Sequence, residues 1–97
     1  RLAVQSLAKE LGPDGIRVNA IMPGVVEGPR FDQVVAARAE ALGTSFEQVE
    51  KDYLSKVSLR RKVSPQDVAN MVIFLCSPAG RNISGQSLSV CGNAETI

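Results

Sequence analysis

Tyr53 and Lys56 are the pair in this sequence whose side chains could do acid–base work. A lysine ammonium stabilises a neighbouring phenolate, which turns a tyrosine into a usable proton donor. Three residues apart, the two fall on adjacent positions of one helix face. A tyrosine on an amphipathic helix also has a plainer use, burying its ring while its hydroxyl stays in water, and packing is the expectation here. Other chemistry is narrower still. The chain has no histidine, which excludes a Ser-His-Asp triad, a Cys-His dyad and a histidine metal site. Cys76 and Cys91 are too few for a disulfide scaffold and lack metal-ligand spacing, which suits a reduced, cytoplasmic setting. Arg60-Arg61-Lys62 could meet a phosphate, but a basic trio between two elements more simply faces solvent. Gln66 and Asp67 head a helix, where capping accounts for them. The fingerprints G-x-G-x-x-G, G-x-x-x-x-G-K-[ST] and G-x-S-x-G are absent.

The stretch 16–30 says more. Residues 16–21 read as a short strand, with Ile16, Val18 and Ala20 on one face and Arg17 and Asn19 disturbing the other. Pro23-Gly24 punctuates it, and Gly28-Pro29 follows in an ordered loop. Open parallel sheets bind ligands beyond the carboxyl ends of their strands, where this loop would lie. Pro23 would fix the backbone there, and Gly24 would admit a flat ring with no Cβ in the way. An ordinary turn is the alternative reading.

The elements that would position this loop alternate in type. Residues 1–11 form a helix on Leu2, Leu7 and Leu11, with Gly12 as its left-handed stop and Pro13-Asp14-Gly15 as a turn. Residues 31–42 form a second helix, ended by Gly43. Thr44 or Ser45 then caps a third, with Glu47 and Gln48 three residues on, running through Tyr53 to Val57. Ser64 as N-cap, Pro65 at the first position and Asp67 two beyond mark the clearest helix start. That helix, to Cys76, is apolar nearly all round, so it should be covered on more than one side. A final strand, 87–91, alternates Leu88 and Val90 with serines.

With 97 residues, 44% hydrophobic and 22% charged, the chain has room for at most one core. Eleven Lys and Arg against ten Asp and Glu leave a net charge of +1, without the concentrated basic excess of a nucleic-acid or membrane-surface binder. No apolar run approaches the ~20 residues that span a bilayer. A strand, helices and a second strand make a parallel crossover unit. Two strands make a poor sheet, so the chain reads as one end of a larger α/β sheet.

Several ordered motifs carry a resemblance over nearly the whole chain. Leu7-Ala8-Lys9-Glu10-Leu11-Gly12 leads into Ile16-Arg17-Val18-Asn19-Ala20-Ile21 and Pro23-Gly24. Downstream stand Ser64-Pro65-Gln66-Asp67-Val68-Ala69-Asn70, Phe74-Leu75-Cys76-Ser77, Ile83-Ser84-Gly85-Gln86 and Val90-Cys91-Gly92-Asn93. In these the chain resembles the C-terminal part of the short-chain dehydrogenase/reductase family, residues 25–62 being the most variable portion. The resemblance implies the last part of a Rossmann-type doubly wound parallel sheet, with 16–21 and 87–91 as its last two strands and about 25–62 as the substrate lid. It implies an enzyme using NAD or NADP to interconvert an alcohol and a carbonyl, and a homotetramer. It implies cofactor contacts at Pro23, Gly24, Val26 and Gly28, the backbone at Val26 holding the nicotinamide carboxamide.

Two departures stand out. Glycine replaces the threonine often found at position 28, and Cys91 stands where the family commonly has aspartate. The family's glycine-rich phosphate loop, catalytic serine and Tyr-x-x-x-Lys pair have no counterpart in 1–97, so no catalytic residue is assigned. Tyr53-x-x-Lys56 has the wrong spacing and follows the Pro-Gly loop rather than preceding it. The rival reading is a non-catalytic assembly or binding module that keeps the scaffold without the site. A complete 97-residue protein is a third, and would need an oligomer to cover its apolar helix.

Overall fold

The computed structural model describes residues 2–94. In chain order its elements are α1 (Leu2–Leu11), β1 (Ala20–Pro23), α2 (Pro29–Leu42), α3 (Phe46–Leu54), α4 (Pro65–Cys76) and β2 (Ser87–Val90). They sort into two compact units, one of residues 2–22 and 66–90, the other of residues 23–65 and 91–94.

In the first unit β1 and β2 pair as a two-stranded parallel sheet. Both strands are shorter than expected. Residues 16–19 lie outside β1, because their partner segment is irregular: Gly85 takes left-handed backbone (φ 74), and Val18 N–H donates to the Ser84 hydroxyl at 3.2 Å rather than to a ladder carbonyl. Regular pairing begins after Ala20 N–H donates to the Gln86 carbonyl at 2.9 Å. Cys91 likewise falls outside β2. At the end of α1 the left-handed residue is Gly15 (φ 78), not Gly12. Gly12–Asp14 forms a 3-10 turn in between, with Gly15 N–H bonded back to the Gly12 carbonyl at 2.9 Å. Pro13 suits such a start, since its missing N–H has no partner to lose there.

The two residues that disturbed the strand pattern hold this unit together. Arg17 donates from Nη1 to the carbonyls of Gly80 (3.0 Å) and Ile83 (3.1 Å), and from Nη2 to that of Leu75 (2.6 Å). The Leu75 carbonyl belongs to the last turn of α4, where helix carbonyls have no intrahelical partner and a cation complements the dipole. Asn19 continues the bracket, donating to the Ile83 carbonyl at 2.9 Å and accepting from Gln86 N–H at 3.1 Å.

The second unit is built on a helical hairpin. α2 begins at Pro29, two residues before the expected start, because proline at a first-turn position costs no hydrogen bond. Gly43 ends it in left-handed backbone (φ 67). Ser45, rather than Thr44, caps α3, accepting from Gln48 N–H at 3.1 Å. Val35, Ala39 and Val49 form the core, with Phe31, Phe46 and Tyr53 packed against it. α3 stops at Leu54 instead of Val57. Beyond it the backbone is taken by another segment: Ser58 N–H donates to the Asn93 carbonyl (3.0 Å) and Leu59 N–H to that of Gly92 (3.1 Å). Val57 is buried in this pairing.

Apolar cover is uneven between the units. In α4 only Leu75 is buried, while Val72 (45%), Ile73 (62%) and Phe74 (44%) stay exposed. α1 buries none of its residues fully, and Leu2 is 80% exposed. The isolated chain is therefore expected to self-associate through this apolar surface. Sedimentation velocity should find concentration-dependent oligomers, with the monomer share rising in Ile73→Lys; a monomer with a sharp cooperative melt is the contrary result. Arg17→Ala should cost about 1.5–3 kcal/mol, the range for hydrogen bonds to a charged group. Arg17→Lys should rescue little, because an ammonium cannot fork across three carbonyls. Urea unfolding followed by far-UV circular dichroism at low concentration reads both.

Candidate functional site

The candidate site is the loop that follows β1 and the helices that wall it. Gly24 is the first constraint. A Cβ built there would lie 2.6 Å from Cys91 Cβ and 2.8 Å from Cys91 Cα. The space expected for a flat ring is filled on that side by the chain itself, so glycine is required here before any ligand is considered.

The next three residues are held by one partner. Val63 N–H donates to the Val25 carbonyl at 2.7 Å, and Glu27 N–H donates to the Val63 carbonyl at 2.8 Å. This is a parallel bridge centred on Val26 and the buried Val63. A parallel bridge uses the groups on either side of its central residue. The N–H and C=O of Val26 itself therefore face away from Val63.

Gly28 closes the loop with φ 144 and ψ 177, backbone that is essentially reserved for glycine. A threonine here would need a different path, so the departure from the family pattern is built into the backbone. Gly28 is also the N-cap residue of α2 and offers no side-chain cap; its carbonyl accepts from Asp32 N–H at 3.1 Å. Asp32 in the first turn complements the helix dipole.

Pro23, Gly24, Val26 and Gly28 all line one cleft of about 670 Å³, together with Phe31, Val34 and Tyr53 among others. That volume lies within the range of small-molecule sites. Phe31 and Tyr53 meet edge to face, ring centroids 5.7 Å apart and planes at 76°. Tyr53 thus packs its ring, as expected, and reaches the cleft through α3. Lys56 does not line it; Tyr53 and Lys56 both line another hollow of about 340 Å³, with Arg38 and Asp52. The acid–base pair considered from spacing does not converge on the loop.

Of the trio Arg60-Arg61-Lys62, expected to face solvent, only Arg60 and Arg61 are exposed. Lys62 Nζ lies 3.1 Å from Glu50 Oε2 and 5.7 Å from the Phe31 ring centroid. It joins α3, α2 and the segment that holds the loop. Nothing in local sequence signals this, because Glu50 lies twelve residues away. Among the described residues no group of three or more His, Cys, Asp or Glu could hold a metal ion, and no helix is long and apolar enough to cross a membrane.

Residues 1–92 match the family model described as enoyl-(acyl carrier protein) reductase. Sorbitol-6-phosphate 2-dehydrogenase of Escherichia coli (strain K12) is 40% identical over 89 residues, which cover 91% of this chain and 34% of that protein. Among solved structures, a short chain dehydrogenase family protein from Francisella tularensis superposes with a TM-score of 0.87 at 31% identity, over 94% of this chain and 38% of that one. L-sorbose reductase from Gluconobacter frateurii, solved with NADPH and L-sorbose, superposes with a TM-score of 0.85 at 26% identity, over 99% and 37%. The chain spans about a third of the length of the curated relatives it matches. Its two parallel strands and flanking helices are accordingly a partial α/β Rossmann sheet. The chain belongs to the short-chain dehydrogenase/reductase family, to the C-terminal part of whose domain it corresponds.

Proposed function

We propose that this chain is the C-terminal portion, residues 1–97, of a single dinucleotide-binding domain in an oxidoreductase that interconverts an alcohol and a carbonyl with NAD or NADP. Residues 23–28 serve as the nicotinamide-side loop, residues 25–62 as the substrate lid and the two strands as the sheet edge. Pro23, Gly24, Val26 and Gly28 contact the cofactor. Relatives support the class: one is named for a sorbitol phosphate dehydrogenation and another was solved with NADPH. The whole enzyme acts on a small-molecule alcohol or ketone, in the cytoplasm, as a homotetramer.

The observation that carries the cofactor contacts is the direction of the Val26 backbone. Its N–H and C=O are not used by the Val63 bridge, and a carboxamide needs one donor and one acceptor in that arrangement. The loop cannot swing to meet a ring, because both flanking groups are tied at 2.7 and 2.8 Å. Reduced nicotinamide, when bound here, would supply the hydride for carbonyl reduction. The chain's own part is to hold the ring's amide, shape the apolar wall and keep water out. It has one tyrosine, and the residue four positions after Tyr53 is Val57, not lysine, so the proton donor of the family is not among 1–97.

The isolated chain should therefore give no nicotinamide absorbance change with any alcohol or ketone. In the full-length enzyme, Val26→Pro removes the N–H in question and leaves both Val63 bonds. Cofactor binding should weaken about two- to tenfold, the worth of one hydrogen bond. Arg61→Ala, on the exposed connection, should leave it unchanged. Fluorescence titration of folded variants decides: wild-type affinity in Val26→Pro would remove Val26 from the site.

A further inference from the structure

The walls of the 670 Å³ cleft say what kind of substrate body it takes. We propose that the cleft binds the neutral, apolar body of a ketone or alcohol, and that Val34 on α2 is a specificity-determining residue; this rests on the oxidoreductase reading above. Val25, Val26, Pro29, Phe31 and Val34 present hydrocarbon to the cleft, and Tyr53 adds a ring with one hydroxyl. Val34 stands 46% exposed on this wall, although its neighbour Val35 is fully buried in the core behind it. Its exposed apolar surface lines the cleft.

The charges present do not favour an anion. Glu27 and Arg30 line the cleft as one acid and one base, both exposed, and their formal charges cancel. Lys62, the cation near Phe31, is committed to Glu50 at 3.1 Å. The N-terminus of α2 opens at Gly28, but its first turn already carries Asp32. Recognition of a phosphate or carboxylate needs an excess of donors with a fixed fork, usually from arginine. An apolar body needs only surface to leave water against, at about fourfold in affinity per buried methylene.

The test uses the full-length enzyme with its reduced cofactor and two series of carbonyls. One runs from 2-butanone to 2-octanone, with 2-decalone as a rigid ring pair. The other is charged: acetoacetate and fructose 6-phosphate. kcat/KM should rise three- to fourfold per added methylene until the cleft is full, and the charged compounds should lie at least tenfold below 2-octanone. Val34→Arg should lower kcat/KM for the apolar ketones tenfold or more, mainly through KM, with cofactor affinity and melting temperature unchanged. Because Val34 is half exposed, this variant should fold; Val34→Ala, which adds no charge, supplies a second reading through a smaller loss confined to the longer ketones. A flat chain-length series, or preference for fructose 6-phosphate, overturns the inference while leaving the oxidoreductase reading in place. An unaltered Val34→Arg removes Val34 from it. No turnover of any carbonyl with either cofactor overturns both.

Discussion

A loop without a ladder of its own keeps one shape only if another segment takes its backbone groups. Val63 does this for residues 25–27, giving its N–H to Val25 and receiving that of Glu27. Val63 is only 6% exposed, so either group left unpaired would cost about 1–3 kcal/mol. The bridge is thus both a stabilising contact and a geometric statement. By consuming the groups on either side of Val26, it sets the direction of the Val26 amide. The path of the loop toward Gly28 and α2 is held by that one pairing.

The residue before Val63 extends the same control to the walls. Lys62 reaches Glu50 on α3 and the Phe31 ring on α2. A half-buried ion pair of this kind, 26% and 28% exposed, contributes modestly to stability, since desolvation offsets much of the attraction. Its effect is on position. Two consecutive residues, one through its side chain and the other through its backbone, tie the hairpin and the loop to one strand-like segment. The α2–α3 hairpin therefore keeps a fixed relation to the loop.

The helices were legible in sequence where their ends have local chemistry. Pro65 and Cys76 bound α4 as read, Gly43 ends α2, and Ser45 with Gln48 starts α3. The strands were less so. The pattern at 16–21 looked like an imperfect strand because Arg17 and Asn19 are not strand residues at all; they are the bracket that captures the Leu75, Gly80 and Ile83 carbonyls more than fifty positions away. No window of sequence contains such a partner. The same holds for the site. Pro23-Gly24 and Gly28-Pro29 could be picked out by type and spacing, and Val26 only through the family resemblance, but not the contacts that shape the segment. Val63, Cys91 and Lys62 come from distant positions and have ordinary side chains.

The two departures from the family pattern make sense as local physics. Gly24 must be glycine because the Cys91 backbone lies against it, whatever side chain position 91 carries. That side chain then turns to its own loop: Cys91 Sγ accepts from Ala94 N–H at 3.5 Å, three residues on. A short acceptor bonding the backbone a few positions ahead is what aspartate does in an Asx turn, with a stronger oxygen. The Cys91 bond spans one residue more than an Asx turn and uses a weaker sulfur acceptor. Position 28 differs, since its backbone (φ 144, ψ 177) belongs to glycine and a threonine would need another path. At 91 the side chain bonds its own following loop; at 28 the backbone itself requires glycine, and Pro29 opens α2 directly after it.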